Sequence, residues 1–163
     1  MPSPTAPTTT GAPEARAEEL ASRLTAAISE RKRMLVIVNP YATTVSDRLR
    51  NLVVYALAAR YEVEAVDTER RDHATQICRE AAAEGYDLVV AFGGDGTVNE
   101  AANGLLGSDT PLSCLPGGAT NVFHRTLGIP GDVVDATEHL LALADDFQPR
   151  KVDLGLVLSL IHI

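Results

Sequence analysis

Gly93, Gly94, Asp95, Gly96 and Thr97 place three glycines and one carboxylate in five consecutive residues, directly after the apolar run Val89-Val90-Ala91-Phe92. An apolar run without alternation is the pattern of a strand buried on both faces. Val98, Ala101, Ala102, Leu105 and Leu106 then recur at helical spacing, so the glycines form a strand-to-helix turn. The chemistry suited to such a turn is anion binding. Residues without Cβ let a ligand approach the backbone amides, and the first helical turn offers unpaired N–H groups that favour phosphate. Asp95 would repel a bare phosphate but suits Mg²⁺, or a hydroxyl beside a phosphate. An ordinary turn capped by Asp95 and Thr97 is the plainer reading; three glycines around one Asp argue against it. The spacing is neither that of a Walker loop nor the spaced-glycine dinucleotide fingerprint.

Other polar candidates also fall at strand ends. Met34 to Val38 reads as a first buried strand stopped by Asn39-Pro40, because proline cannot donate to a ladder. Tyr61 to Val66 reads as a second strand, with Thr68 just beyond it. Leu112 to Leu115 reads as a fourth, followed by Pro116-Gly117-Gly118 and Asn121. Each has a plainer alternative: Asn-Pro initiates turns, Thr68 can be a loop hydroxyl, and a glycine pair can be a strand exit. Arg125 can meet phosphate or pair with a surface acid.

The segments between these strands have helical patterns. Leu20, Leu24 and Ile28 mark an amphipathic helix over 14–33 with its linker, expected to pack on its own domain. Ser46 or Asp47 caps a helix with Leu49, Leu52, Val53, Ala56 and Leu57 inward, and Asp72 caps one with Ala74, Ile77, Cys78 and Ala81 inward. Gly131 to Phe147 forms another, with Val133, Ala136, Leu140, Leu141 and Ala144 inward; Phe123, Leu127 and Ile129 join the core. Alternating strands and helices mean βαβ units and a parallel sheet, and ligands on such sheets sit beyond the carboxyl ends of the strands.

Composition narrows the partners. A formal charge of −8 argues against nucleic acid and against a strongly basic membrane-docking surface. Cys78 and Cys114 lack metal-ligand spacing and read as small buried hydrophobes in a reducing cytosol. His73, His124, His139 and His162 share no metal spacing and read as surface or cap residues. No apolar run approaches the roughly 20 residues of a membrane span. Residues 1–13 are expected to be disordered.

Gly93-Gly94-Asp95-Gly96-Thr97-Val98-Asn99-Glu100, Val36-Ile37-Val38-Asn39-Pro40 and Leu115-Pro116-Gly117-Gly118-Ala119-Thr120-Asn121-Val122-Phe123-His124-Arg125 together resemble, in order, the motifs of the diacylglycerol kinase catalytic domain family. That family includes bacterial lipid kinases and sphingosine kinases. The resemblance implies an α/β fold of the NAD kinase/phosphofructokinase-like type, three αβα layers around a mostly parallel sheet, over residues 34–157. It implies ATP and Mg²⁺ as cofactors and transfer of the γ-phosphate to a lipid hydroxyl at a membrane surface. The protein would then be cytoplasmic and peripheral to the inner face of the membrane, with homo-oligomerisation open. Nucleotide contacts carried over are Asn39, Thr68, Gly93, Gly94, Asp95, Gly96, Thr97, Asn99, Glu100, Gly117, Gly118 and Asn121, with Asp95 managing the metal and phosphates. Two places depart from the pattern. Tyr41-Ala42-Thr43-Thr44 lacks the usual glycine, and Ala119 stands where Thr is usual, leaving Thr120 as a substitute hydroxyl. In the family the general base and lipid slot lie in a second, mostly β domain, expected to be missing here. Leu158-Ser159-Leu160-Ile161-His162-Ile163 looks like a translated library adapter rather than native sequence, so the chain is expected to be inactive alone. The alternatives are an NAD kinase-like enzyme and a non-catalytic nucleotide-binding fragment.

Overall fold

The computed structural model describes residues 13–29 and 31–155; the expectations for residues 1–12 and 156–163 lie outside the described residues. The chain divides at Arg31 into two compact units. In the first, α1 (Pro13–Ser29) carries Glu14 in its first turn and leaves Leu20 and Leu24 exposed.

The second unit alternates strands and helices: β1 (Arg33–Val38), α2 (Asp47–Leu57), β2 (Glu62–Asp67), α3 (His73–Glu84), β3 (Leu88–Gly93), α4 (Asp95–Leu105), β4 (Leu112–Pro116), α5 (Val122–Leu127) and α6 (Val133–Leu143). The four strands form one sheet in the order β2-β1-β3-β4, every pair parallel. Met34 through Val38 and all of β3 are buried, as their unbroken apolar runs require of inner strands. On the outer strand β2, Glu62, Glu64 and Asp67 face solvent. The step from β1 to β2 runs one way along the sheet and that from β2 to β3 runs back across β1. With right-handed crossovers this puts α2 on one face and α3 and α4 on the other. The packing agrees, α3 lying on α4 and α6 beside α2. The fold is thus the three-layer α/β architecture expected, with a sheet that is wholly parallel. The reversal of strand order leaves a crevice between the carboxyl ends of β1 and β3, the switch point where such sheets take ligands.

Two ties hold the helical layers. The buried Tyr61 hydroxyl donates to the Leu140 carbonyl at 2.8 Å, anchoring α6, and the Arg60–Asp145 ion pair lies beside it. On the opposite face Thr75 Oγ1 donates to the Glu100 carbonyl at 2.9 Å. A Cβ on Gly104 would lie 2.4 Å from the Thr75 carbonyl oxygen and 2.5 Å from Cys78 Cβ, so α3 and α4 touch backbone to backbone there.

Some local expectations are met or narrowed and others are corrected. Ser46 caps α2, its Oγ accepting the Leu49 N–H. Asp72 stands at the α3 N-cap in a left-handed conformation (φ 62°) with no side-chain capping bond; Glu100 Oε2 instead accepts the Ala74 N–H at 3.3 Å. Leu52 is exposed because Val53 and Leu57 take the buried stripe of α2. Leu106 is exposed where the chain turns out of α4 toward left-handed Gly107. Leu127 is half-exposed and His124 is buried, since His124 holds the inward place on short α5. α6 is shorter than expected, starting behind Asp132, whose carboxylate accepts the Val134 and Asp135 N–H groups. Cys78 and Cys114 are free and buried, and burial pushes both thiols up to about 12.

Candidate functional site

The crevice is built from three strand exits. At the end of β1, the Asn39 N–H donates to the Phe92 carbonyl of β3 at 2.9 Å. Its side chain works in both directions: Nδ2 donates to Thr97 Oγ1 at 3.2 Å and Oδ1 accepts the Tyr41 N–H at 3.0 Å. The second of these is the Asx turn that an Asn-Pro pair favours; the first reaches the opening turn of α4. Thr68, buried just beyond β2, donates its N–H to the Val38 carbonyl at 2.8 Å, which places it beside Asn39.

At the end of β3 the glycines are needed for space. A Cβ on Gly93 would stand 2.5 Å from Thr97 Oγ1 and 3.2 Å from Asn39 Cβ. The exit of β4 crosses it: the Gly117 N–H donates to the Gly93 carbonyl at 2.9 Å, and the Gly117 carbonyl accepts the Thr44 N–H at 3.2 Å. A Cβ on Gly118 would lie 3.0 Å from Gly94 Cα. Two glycine loops therefore meet backbone to backbone, with the β1–α2 loop tied to both. Gly96 is exposed, and a Cβ there would meet nothing within 4 Å.

Asp95 opens α4 but turns toward α5. Its carboxylate accepts the Phe123 N–H at 3.0 Å and the Val122 N–H at 3.1 Å. The Phe123 and then the Val122 amide hold it below its ordinary range. Asn121, in the left-handed region at φ 44°, folds back on its own loop: Oδ1 accepts the Gly118 N–H at 3.1 Å and Nδ2 donates to the Gly118 carbonyl at 2.5 Å. Arg125 donates to the Thr120 carbonyl at 2.9 Å.

The expected site residues thus fall into two groups. Asn39, Gly93, Gly94, Asp95, Thr97, Gly117, Gly118 and Asn121 share one hydrogen-bonded rim, with Thr68 next to it. Asn99 and Glu100 line an open groove between α4 and α3 with Asp72, Thr75, Arg79 and Asn103. Thr120 is exposed on the outer loop. Among the described residues no three His, Cys, Asp or Glu side chains are placed to share a metal.

His124 departs furthest from expectation. It is 1% exposed, and neither ring nitrogen has a hydrogen-bond partner. Burial lowers its pKa, against weaker upward pulls from the Leu115 carbonyl and Asp95. The fold therefore holds the ring neutral, whereas an unfolded chain protonates near pH 6.5. The unfolded state binds the extra proton, so stability declines as pH falls from about 6.5 toward the lower folded value and is unaffected above it. Replacing the orphaned ring with a hydrocarbon removes both effects. We expect His124→Leu to raise the melting temperature at pH 7.5 by roughly 4 °C, about 1 kcal/mol, and to flatten the decline between pH 6.5 and 5 in thermal melts.

The contacts of Val45 and Thr44 with Gly117, and those of the Val122 and Phe123 amides with Asp95, are not legible in the sequence. They are backbone or non-local contacts that leave no motif.

Comparison with known proteins agrees with this architecture. Residues 33–157 match the profile of the diacylglycerol kinase catalytic domain. A diacylglycerol kinase of Staphylococcus aureus (strain JH9) is 34% identical over 131 residues, spanning 77% of this chain and 40% of that protein. One from strain bovine RF122 / ET3-1 is 35% identical over 133 residues, with the same coverage. The crystal structure of a diacylglycerol kinase from Bacillus anthracis str. Sterne superposes with a TM-score of 0.62 at 38% identity, covering 69% of this chain and 43% of that one. The chain therefore spans about 40% of the length of the curated relatives it matches. With its three motifs meeting around one crevice and its matched region running through the whole sheet, the chain belongs to the diacylglycerol kinase catalytic domain family.

Proposed function

We propose that residues 34–157 are the nucleotide-binding domain of an ATP-dependent lipid kinase, which transfers the ATP γ-phosphate to the hydroxyl of diacylglycerol or a similar lipid at a membrane surface. The observation that carries this reading is the meeting of the Asn39, Gly93–Thr97 and Gly117–Asn121 segments at the sheet's switch point. Phosphoryl transfer depends on position and on charge neutralisation. Glycine backbone in two crossing loops can follow a phosphate chain closely, and the start of α4 favours its charge. Asn39 would fix the first loop against Thr97. Thr68 would bound the nucleotide on the β2 side, and Asn99 and Glu100 would meet it along the α3 groove.

Asp95 suits Mg²⁺. This ion keeps several waters and takes one or two carboxylates together with substrate phosphates, so a lone acid is sufficient. Each Asp95 oxygen accepts one N–H and retains acceptor capacity. Bound Mg²⁺ supplies charge neutralisation at the phosphates.

The base that deprotonates the lipid hydroxyl, and the lipid slot, we assign to the part of the longer relatives that this chain does not match. The chain by itself then binds ATP without phosphorylating lipid. Calorimetric titration of ATP into the chain tests this. We expect saturable binding strengthened by Mg²⁺, and a loss of about tenfold in Asn39→Ala, the order of one hydrogen bond. Absence of ATP binding, or lipid phosphorylation by this chain alone, would contradict the assignment.

A further inference from the structure

α5 is six residues long, too short to sustain itself. Its N-cap residue, Asn121, makes no side-chain cap, because that side chain is spent on Gly118. The missing acceptor comes from another element: Asp95, 27 residues earlier, receives the Val122 N–H on one oxygen and the Phe123 N–H, at 3.0 Å, on the other. Two features work against this placement. Asn121 sits at φ 44°, where a residue with a Cβ is strained, and buried His124 has no hydrogen-bond partner. A specific tie is therefore needed to keep α5 and its loop in place. That loop is the one whose Gly117 and Gly118 press on Gly93 and Gly94.

We propose that Asp95 is a positioning residue: before any metal or nucleotide arrives, its carboxylate is the tertiary cap that fixes α5 and, through Asn121, sets the Gly117–Asn121 loop against the Gly93–Thr97 loop. The proposal rests on the reading of these loops as the phosphate site and adds a role that metal management does not contain. The two roles differ in sign. If Asp95 acts only as an anion beside the phosphates, its removal strengthens ATP binding in the absence of metal, because a like charge is gone. If it holds the loop in place, its removal weakens binding even without metal.

Hydrogen exchange on the whole chain in EDTA, without nucleotide, tests the cap directly. In Asp95→Ala the Val122 and Phe123 amides are expected to exchange at least tenfold faster, while β1 and β3 amides stay as in the parent. Asp95→Asn, which keeps one acceptor oxygen, is expected to fall between. ATP affinity in EDTA is expected to drop about fivefold in Asp95→Ala. Unchanged exchange at residues 122 and 123, or tighter metal-free ATP binding, overturns the proposal. Should Asp95→Ala fail to fold, Asp95→Asn decides alone: faster exchange confined to residues 122 and 123 supports the cap, and its absence overturns it. A parent chain that binds no ATP removes the phosphate-site reading, while the exchange result still decides the cap.

Discussion

Gly104→Ala is expected to destabilise the domain by about 2–3 kcal/mol, a fall of roughly 10 °C in melting temperature. The direction is opposite to the usual one. In an open helix interior, alanine improves on glycine by up to about 1 kcal/mol. Here the added methyl would sit 2.4 Å from the Thr75 carbonyl oxygen, 3.1 Å from its carbonyl carbon and 2.5 Å from Cys78 Cβ. Two of those atoms are backbone of α3, so no rotamer change relieves the clash; α3 and α4 must separate. Separation strains the Thr75–Glu100 and Ala74–Glu100 hydrogen bonds as well. Thermal or urea denaturation measures the loss. Gly131→Ala, where a Cβ would meet nothing within 4 Å, serves as the neutral comparison. A Gly104→Ala protein as stable as the parent would mean that the two helices are not in backbone contact.

Gly117→Ala is expected to cost the site more than the fold: at least about 30-fold in ATP affinity, equivalent to about 2 kcal/mol. The added Cβ would lie 2.8 Å from Gly93 Cα, 2.9 Å from Val45 Cγ2 and 3.1 Å from the Gly93 carbonyl carbon. Gly117 has no positive φ, so the demand is for space and not for an unusual conformation. Relief requires the β4 exit to move away from the β3 exit, which breaks the 2.9 Å Gly117–Gly93 hydrogen bond and releases Thr44. Each of these changes widens the crevice where the phosphates are proposed to lie. ATP titration alongside thermal melts separates the two effects. Unchanged affinity would mean that the crossing loops do not touch the nucleotide.

Much of this architecture could be read from sequence because the signals were local and strong. β3 shows as an apolar run cut off by glycines, and α3 shows its inward face in Ala74, Ile77, Cys78 and Ala81, all buried. The strand ends carrying Asn39, Gly93 and Gly117 follow from the same alternation, and they do meet. What could not be read depends on partners distant in sequence. Gly104 has no periodic signature, and its importance exists only once α3 lies against α4. Glu100 reads as part of a ligand motif, and nothing in that motif shows that its carboxylate also accepts an amide at the start of α3. α5 spans less than two helical turns, so periodicity cannot assign an inward face, and nothing in the sequence marks His124 as buried. Asp95 stands out in the sequence as a carboxylate among glycines, but its two amide donors lie 27 and 28 residues away and are backbone.

Among the described residues, the sheet's two margins differ in a way that bears on how this chain behaves in concentrated solution. β2 carries Glu62, Glu64 and Asp67, acidic side chains that discourage another strand from pairing there. β4, Leu112-Ser113-Cys114-Leu115-Pro116, has no charge, and only its terminal proline interrupts pairing. Colloidal protection of that margin therefore falls to the overall charge of −8, whose repulsion is largely screened beyond a Debye length of about 8 Å at physiological ionic strength. Salt that screens this repulsion leaves β4 as the margin along which strands of separate molecules can join.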